Sequence, residues 1–575
     1  MIVLGITDSF TSGAAVVIDG KVVAAVNEER LNRSKMCMGF PELSILEVLK
    51  IAKVRSHELD AVAVATENLF WKPEAVPYTD YFRKKRGSTR EFYLSLGGTF
   101  STLVGDSDAA RKAYYRIKKL LTRGRREKIK KKLRDAFGIQ KPIKFLDHHL
   151  CHAASAYFTS GFEDATIVTQ DGAGDGKCSR VYQVRKGYFN QLQMLDSYHS
   201  VGNYYSYVTH LCGYKAHKHE GKITGLAAFG NASYINLLRN YVSYENGKIL
   251  NTGKCFDHKA LYKLKKELPA DFSHSDLSAS IQVLLEETVS NYCEYWIKRS
   301  GIPYVALAGG VFANVKLNQR INELNSTKQV FIHPGMGDDG LSVGAALFEE
   351  NRLSGYQPKS VIRDVYLGGD YCDTEIEKAL KEYGDTPVQF EGILESKIAS
   401  LLADGKVVAR FDGRMEYGPR ALGNRTILYQ ATDPTVNDWL NRRLVRTEFM
   451  PFAPVTLWEE RHNCYNNVEG AEDTARFMTI TFDCTEFMKE SCPAVVHVDG
   501  TARPQLIRKE DNASYYNILK EYQKITGLPS LINTSFNMHE EPIVNSPKEA
   551  IQSFKNGHLD YLAIGKYLVK NEKSL

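Results

Sequence analysis

The sequence predicts a two-domain α/β protein whose first domain is internally duplicated. Three observations carry that prediction. Short apolar strands alternate with amphipathic stretches along the chain. A strand that ends in aspartate and runs through a glycine turn into a second strand occurs at the start and again near residue 170. A polar segment, NRLSGYQPKS at 351–360, separates two regions that are each long enough to hold a core. With 575 residues, 43% of them hydrophobic, the chain has no need of covalent staples. Its ten cysteines include no C-x-x-C pair, which argues against a zinc ribbon or dithiol centre and suits a reducing compartment. MIVLGITDSF has no basic segment before its short apolar run, and no apolar stretch approaches the ~20 residues that cross a bilayer. A soluble, cytoplasmic protein without membrane contact is expected.

Taken in order, IVLGI, GAAVVID, an Asp19-Gly20 turn and KVVAAV read as strand, turn and strand. ATIVTQDGAGDGKCSRVYQVRKG repeats the pattern, and Asp8 and Asp171 occupy comparable places in the two units. Such a duplication is what the actin-like ATPase and sugar-kinase (ASKHA) fold would show. There, two facing halves clasp a phosphate chain between glycine-rich turns whose N–H groups approach the anion. YVALAGGVFANVKLNQRI is a short strand, two glycines and an amphipathic helix expected to begin near Phe312, a favourable anion site. QVFIHPGMGDDGLSVGAALFEE then gives strand, loop and helix, with Asp338 and Asp339 closing the loop. Beyond the polar segment, KVVARFD, PFAPVTL, HVDGTARPQL and LPSLINTSFNMHEEPIV alternate strands with helices. The expected division is a first domain over 1–352 with a basic helical insertion near 105–138, a linker at 353–362 and a second domain over 363–575.

The net charge of +6 is unevenly spread. Between Arg111 and Arg134 stand thirteen Lys/Arg residues and one acid, Glu127, a local +12 that leaves −6 for the remainder. Tyr114, Ile117, Leu120 and Leu121, then Leu133 and Phe137 after Gly124, recur at near-helical spacing. The segment reads either as a helical hairpin with a solvated basic face or as a surface for a polyanion such as nucleic acid.

Several residues could carry chemistry. His148 and His152, in LDHHLCHAASAY, are four apart, so a helix would project both from one face toward one metal ion. Asp171 and Asp338 are further candidate ligands, and imidazole with carboxylate suits iron, manganese or zinc better than calcium. The alternative is a histidine pair at a helix start, with aspartates serving turns. Arg420 and Arg425 in GPRALGNR, and Arg503 in DGTARPQ, could each grip phosphate or carboxylate oxygens, or brace a loop through carbonyls. Ser535 and Asn537 in NTSFN are two apart and would share one side of a strand, as ligand contacts or as a cross-strand pair.

Together, HHLCHAASAY, DGAGDG, EGKITGLAAFG, GGVFAN, GDDGLSVGAA, EYGPRALGNR, PFAP, VDGTARPQ and LINTSFN resemble the O-carbamoyltransferase family of nodulation-factor, cephamycin and aminoglycoside carbamoyltransferases. The nine motifs keep their order over nearly the whole chain. The resemblance implies an actin-like, metal-bearing first domain, similar to the protein that installs threonylcarbamoyl on tRNA, and a YrdC-like second domain. The second domain would form carbamoyl-adenylate and pyrophosphate from carbamoyl phosphate and ATP with Mg2+, and the first would transfer the carbamoyl group to an acceptor hydroxyl. Matched to the family's motifs, His148, His152, Asp171 and Asp338 would hold the metal, expected to be Fe2+. Gly309, Gly310 and Asn314 would contact nucleotide. Arg420, Arg446, Arg503, Ser535 and Asn537 would line the carbamoyl-phosphate and adenylate site, and Lys35 would lie near the reaction centre.

The chain also departs from the family pattern. The usual His-Asp before the first Ser-Ala-Ala is replaced in DSFTSGAAVV by Phe10 and Thr11, leaving Asp8 as the candidate base or acceptor ligand. Met36 follows Lys35 where histidine is usual, and LVRTEFM keeps Arg446 without its basic neighbours. The expected function is an ATP-dependent O-carbamoyltransferase acting on a sugar, a small natural product or a hydroxymethylated nucleobase. An actin-fold kinase or ATPase and a non-catalytic nucleic-acid-binding relative are the alternatives.

Overall fold

The computed structural model describes residues 1–80, 82, 116–117, 120, 122–355, 361–384, 389–445 and 451–572. Its first domain opens with β1 (Ile2–Thr7), β2 (Gly13–Ile18), β3 (Lys21–Asn27), β4 (Ala61–Ala65) and β5 (Ile143–Leu146). These form one sheet in the order β3-β2-β1-β4-β5, with β1–β3 antiparallel and β4 and β5 parallel to β1. Then β6 (Asp164–Gly174), β7 (Lys177–Arg185), β8 (Tyr188–Asp196), β9 (Tyr304–Ala308) and β10 (Gln329–Ile332) repeat the topology as β8-β7-β6-β9-β10. The echo read in the sequence is thus a structural duplication. AVAVA of β4 is buried throughout, as a parallel strand covered on both faces must be.

Three helices position the site: α1 (Gly124–Phe137), α2 (His148–Ser160) and α3 (Leu341–Ser354). Helix α2 follows the first sheet but packs on β6 and β9 of the second; α3 follows the second sheet but packs on β1, β2 and β4 of the first, and the two helices pack on each other. Ala153, Ala154 and Ala156 of α2 and Ala345 and Ala346 of α3 share one core with residues of both sheets. Small side chains let the backbones approach, and this accounts for the alanine-rich runs.

The second domain centres on a seven-stranded mixed sheet: β11 (Val408–Phe411), β12 (Arg425–Gln430), β13 (Ala453–Leu457), β14 (Gln505–Ile507), β15 (Ser530–Ser535), β16 (Tyr561–Ile564) and β17 (Tyr567–Lys570), in the order β14-β13-β15-β12-β11-β16-β17. Helices Leu394–Ala403 and Ala513–Thr526 share a core with this sheet. The architecture is the expected α/β class, an internally duplicated unit followed by a second α/β domain.

Three local expectations are corrected. α3 runs to Ser354, two residues into the segment expected as linker, of which 356–360 lie outside the described residues. The helix after GGVFAN starts at Val315 rather than near Phe312, because Asn314 caps it by accepting the Leu317 N–H at 3.0 Å. In the basic segment, Ile129 and Leu133 pack inward but Ile117 and Leu120 are exposed; Tyr114 and Leu121 lie outside the described residues. All ten cysteines are free, and among the described residues no helix is long and apolar enough to cross a membrane.

Candidate functional site

The end of β6 and the start of α2 meet between the two sheets. Asp147 caps α2 through the Leu150 N–H, and one turn of helix then brings His148 and His152 together, their Nε2 atoms 3.1 Å apart. Asp171 Oδ2 stands 3.4 and 3.3 Å from these nitrogens, and Asp338 Oδ1 stands 3.4 and 3.6 Å away. All four ligand atoms lie within 4.8 Å of one another. Thr66 Oγ1 is 3.1 Å from His148 Nδ1; with the proton held there, Nε2 presents a lone pair to the cluster. Two imidazole nitrogens and two carboxylate oxygens converging in a buried space are a donor set for a transition-metal cation, so the residues fit the metal that the sequence implies. Burial opposes charge on His148, yet Asp338 and Asp171 beside it raise its pKa to about 9; the same carboxylates raise His152. Burial works against Asp171 too, but both imidazoles hold it well below the usual range.

Neighbours that the sequence reading did not single out fix this geometry. Ser9 donates to Asp338 Oδ2 at 2.8 Å, which turns Oδ1 toward the histidines. Asp175, in the β6–β7 turn, accepts the N–H groups of Glu67 (2.9 Å), Asn68 (2.7 Å) and His148 (3.0 Å), joining the two halves of the domain at the start of α2. Its place in the DGAGDG motif was the available signal.

Asp8, outside this cluster, is held by a buried cation. Arg125, from the basic helix α1, donates through Nε (2.9 Å) and Nη2 to its two oxygens, and also to Thr66 O (2.6 Å) and Ala65 O (3.3 Å). Both partners are 1% exposed. Any work as a base would start from a carboxylate held by this cation.

The glycine turn after β9 abuts the cluster. Gly309 has φ +109°, and a Cβ there would stand 2.1 Å from Gln170 O; one on Gly310 would stand 3.2 Å from Asp171 Oδ1. Backbone alone fits so close to the ligands. Asn314 is occupied as a helix cap and by Gln282, at 2.7 and 3.1 Å.

In the second domain, GPRALGNR divides the roles of its arginines. Glu416 Oε1 accepts the N–H groups of Leu422, Asn424 and Arg425 at 2.8–3.0 Å and folds the loop. Arg425 is spent inside it, donating to the carbonyls of Asp412, Gly413 and Asn424 and lying over Phe411 at 3.7 Å. The Nε atoms of all three arginines are buried without a partner, but Arg420 and Arg503, unlike Arg425, have no hydrogen bond or ion pair through their Nη atoms either among the described residues. Burial pushes Arg420 down to about 10, with Asp339 opposing, and pushes Arg503 well down, with Arg420 adding repulsion. Two neighbouring cations without a paired carboxylate form a site for an anion. Burial raises Asp339 to about 7. It follows Asp338 of the metal cluster, and its charge acts on Arg420. Asn537 Nδ2 donates to Met538 O (2.6 Å) and Glu541 O (3.0 Å), and Ser535 closes β15 opposite Thr426. Arg446 lies outside the described residues.

Lys35 lies where the domains meet. Arg30 donates to Gly418 O at 2.7 Å, and Arg33 to Pro542 O and Ile543 O at 2.7 and 2.8 Å. Burial lowers the Lys35 pKa, Glu29 opposes and Lys218 adds to it.

These features define a two-domain α/β enzyme with a metal-ligand cluster in one domain and a cationic anion site in the other. Residues 2–347 match the carbamoyltransferase N-terminus and residues 399–571 the carbamoyltransferase C-terminus. Nodulation protein NolNO of Sinorhizobium fredii is 33% identical over 577 residues, 97% of this chain and 78% of that protein. An uncharacterised protein of Methanocaldococcus jannaschii is 34% identical over 475 residues, 77% of this chain and 76% of that protein. Among solved structures, component A of (R)-2-hydroxyglutaryl-CoA dehydratase from Acidaminococcus fermentans aligns at TM-score 0.35 and 16% identity, over 62% of this chain and 99% of that one. The chain belongs to the carbamoyltransferase family and is a transferase of carbamoyl groups.

Proposed function

We propose that this carbamoyltransferase is ATP-dependent and O-directed: the second domain makes carbamoyl-adenylate, and the first passes its carbamoyl group to an acceptor hydroxyl. The observation that carries the reading is the unpaired Arg420–Arg503 couple beside Asp339, whose neighbour Asp338 completes the metal-ligand cluster. A dianionic substrate offers what those guanidinium groups lack, and the adjoining cluster offers a second reaction centre.

Balance fixes the steps. Carbamoyl phosphate gives up its phosphate to water, leaving carbamate; a carbamate oxygen attacks the α-phosphorus of ATP and pyrophosphate departs. The acceptor oxygen then attacks the carbamoyl carbon, AMP leaves with the bonding electrons, and the hydroxyl proton passes to a base. Arg420 and Arg503 would hold the anionic groups in the first half, where fixed cations in a dry site act strongly. His148, His152, Asp171 and Asp338 would hold a divalent transition metal, expected to be Fe2+, which when bound supplies a Lewis acid toward carbonyl or phosphoryl oxygen. The Gly309-Gly310 turn admits a nucleotide close to backbone. Lys35, at the seam between the domains, would face the group in transit.

The acceptor proposed is a hydroxyl of a sugar or small natural product. A polyanionic acceptor such as a hydroxymethylated nucleic acid is the second reading, favoured by α1, where Lys128, Lys130, Lys131 and Arg134 are exposed. Binding to DNA that falls steeply with salt would support it, because each neutralised phosphate releases counterions.

The test incubates the metal-loaded full chain with Mg2+-ATP and carbamoyl phosphate and follows products. Pyrophosphate and phosphate in equal amounts are expected. ADP would instead mark a kinase or ATPase, and no turnover would mark a binding protein.

A further inference from the structure

The first domain presents three lysines, Lys35, Lys215 and Lys218, and the imidazole of His219 at its seam with the second. One carboxylate crosses to them. Glu540 sits three residues beyond Asn537, and its oxygens lie 3.1 Å from Lys215 Nζ, 2.6 Å from Lys218 Nζ and 2.9 Å from His219 Nε2. Each contact joins residues more than 320 positions apart. Glu540 makes them from φ +62°, a left-handed backbone that disfavours any residue with a Cβ. Strain kept at a residue with two lysine ion pairs and a histidine hydrogen bond across a seam points to use rather than to loop geometry.

Both sides of the contact are built. On the second domain, Asn537 shapes the loop by donating to Met538 O and Glu541 O, and Arg33 of the first domain grips Pro542 O and Ile543 O just beyond Glu540. On the first, Glu220 accepts the His217 N–H at 2.5 Å and the Ser206 hydroxyl at 2.8 Å, and Lys215 N–H donates to His219 Nδ1 at 3.3 Å. Lys35 lies beside this contact, and among the described residues no hydrogen bond or ion pair engages its ammonium.

We propose that Glu540 is an interdomain latch: a positioning residue that ties the Lys215–His219 loop to the loop after β15 and keeps the seam around Lys35 closed over the carbamoyl-adenylate. The proposal rests on the carbamoyl-adenylate reading. Closure of this kind keeps a labile acyl phosphate from water, which would otherwise hydrolyse it to carbamate and AMP. The latch is local: one side chain's contacts open it while Arg30 and Arg33 still hold the domains together.

The test compares wild type with Glu540→Gln and Glu540→Gly in the full chain, supplied with metal, Mg2+-ATP and carbamoyl phosphate but no acceptor. Glycine relieves the left-handed strain while removing the carboxylate, so this variant should fold as well as wild type. In wild type, pyrophosphate should appear as a burst of about one per chain followed by a slow phase, since the intermediate stays enclosed. In both variants the slow phase should rise at least tenfold as the intermediate escapes. Amide exchange across 213–220 in the absence of substrates should also quicken about tenfold. Slow phases equal to wild type would overturn the latch. If wild type itself releases no pyrophosphate, the carbamoyl-adenylate reading fails separately, and unchanged exchange in the variants would then refute the interdomain tie.

Discussion

The Asp8–Arg125 pair gives the sharpest test of how the first domain is built. Both side chains are 1% exposed, and the guanidinium makes two bonds to the carboxylate and two to the carbonyls of Thr66 and Ala65. Arg125→Ala leaves a buried carboxylate without its counterion, and losses of about 3–5 kcal/mol are typical of such deletions. Asp8→Ala leaves the opposite charge stranded, but the two carbonyl bonds persist, so its cost should fall toward the lower end. The double variant strands no charge. It forfeits mainly the carbonyl bonds, about 1 kcal/mol each, and some packing. The singles should therefore sum to well above the double, with a coupling of about 2 kcal/mol or more. At roughly 2 °C per kcal/mol for a domain of this size, each single variant should melt about 6–10 °C below wild type. Calorimetry of the metal-free chain reads all four corners of the cycle. Two single variants that each cost under about 1 kcal/mol and simply add would refute the clamp.

Three further outcomes follow from the site. His152→Ala or Asp171→Asn should abolish stoichiometric binding of a divalent transition metal, measured by elemental analysis after dialysis, while leaving pyrophosphate formation in the second domain measurable. Arg420→Ala should lower pyrophosphate formation about 100-fold or more, as expected when a fixed cation is removed from a developing charge, without a large loss of stability. Arg425→Ala should instead destabilise the fold by about 3 kcal/mol, since three carbonyls lose their buried donor. Glu540 supplies a pH signature. Lys218, Lys215 and His219 hold its carboxyl below the ordinary value against the cost of burial, so its contribution is complete above the unfolded value of about 4.3 and is lost as pH falls through the lowered one. His219, whose own pKa burial lowers, gains charge only as pH drops. Stability curves of wild type and Glu540→Gln should therefore run parallel from pH 8 to pH 6 and converge only well below pH 4; convergence already at pH 6 would mean that the carboxylate is not held by those cations.

The parts that the sequence made legible are those whose information is local. A strand ending in aspartate before a glycine turn is written in about twenty consecutive residues, so the duplicated sheets could be read from their two copies. His148 and His152 could be paired because helical spacing alone puts them on one face. Partnerships across long separations were not legible. Arg125 pairs with Asp8 across 117 positions, and within a run of thirteen basic residues nothing marks the one that turns inward. Arg420 and Arg425 share a motif and a residue type, and their opposite fates are decided by Glu416, whose carboxylate winds the loop so that one guanidinium meets carbonyls and the other meets none. Ser9 escaped notice because its partner, Asp338, is 329 positions away.

The backbone itself links the two centres. Asp338 completes the metal-ligand cluster; Asp339, one peptide further, offers its carbonyl to the Tyr417 hydroxyl at 2.9 Å and its carboxyl to the neighbourhood of Arg420. A rigid-body parting of the domains would have to break the Tyr417 bond, the Arg30–Gly418 and Arg33–Pro542 contacts and the Arg414 bond to Val23 O together. Motion during turnover is therefore expected in small segments at the seam rather than in the domains as wholes. Tyr417→Phe offers a discriminating case, since it removes one hydroxyl from this set and adds nothing. If the centres communicate through the Asp338–Asp339 peptide, that change should weaken metal binding in the first domain several-fold although Tyr417 belongs to the second. Unchanged metal affinity would leave the two centres joined by proximity alone.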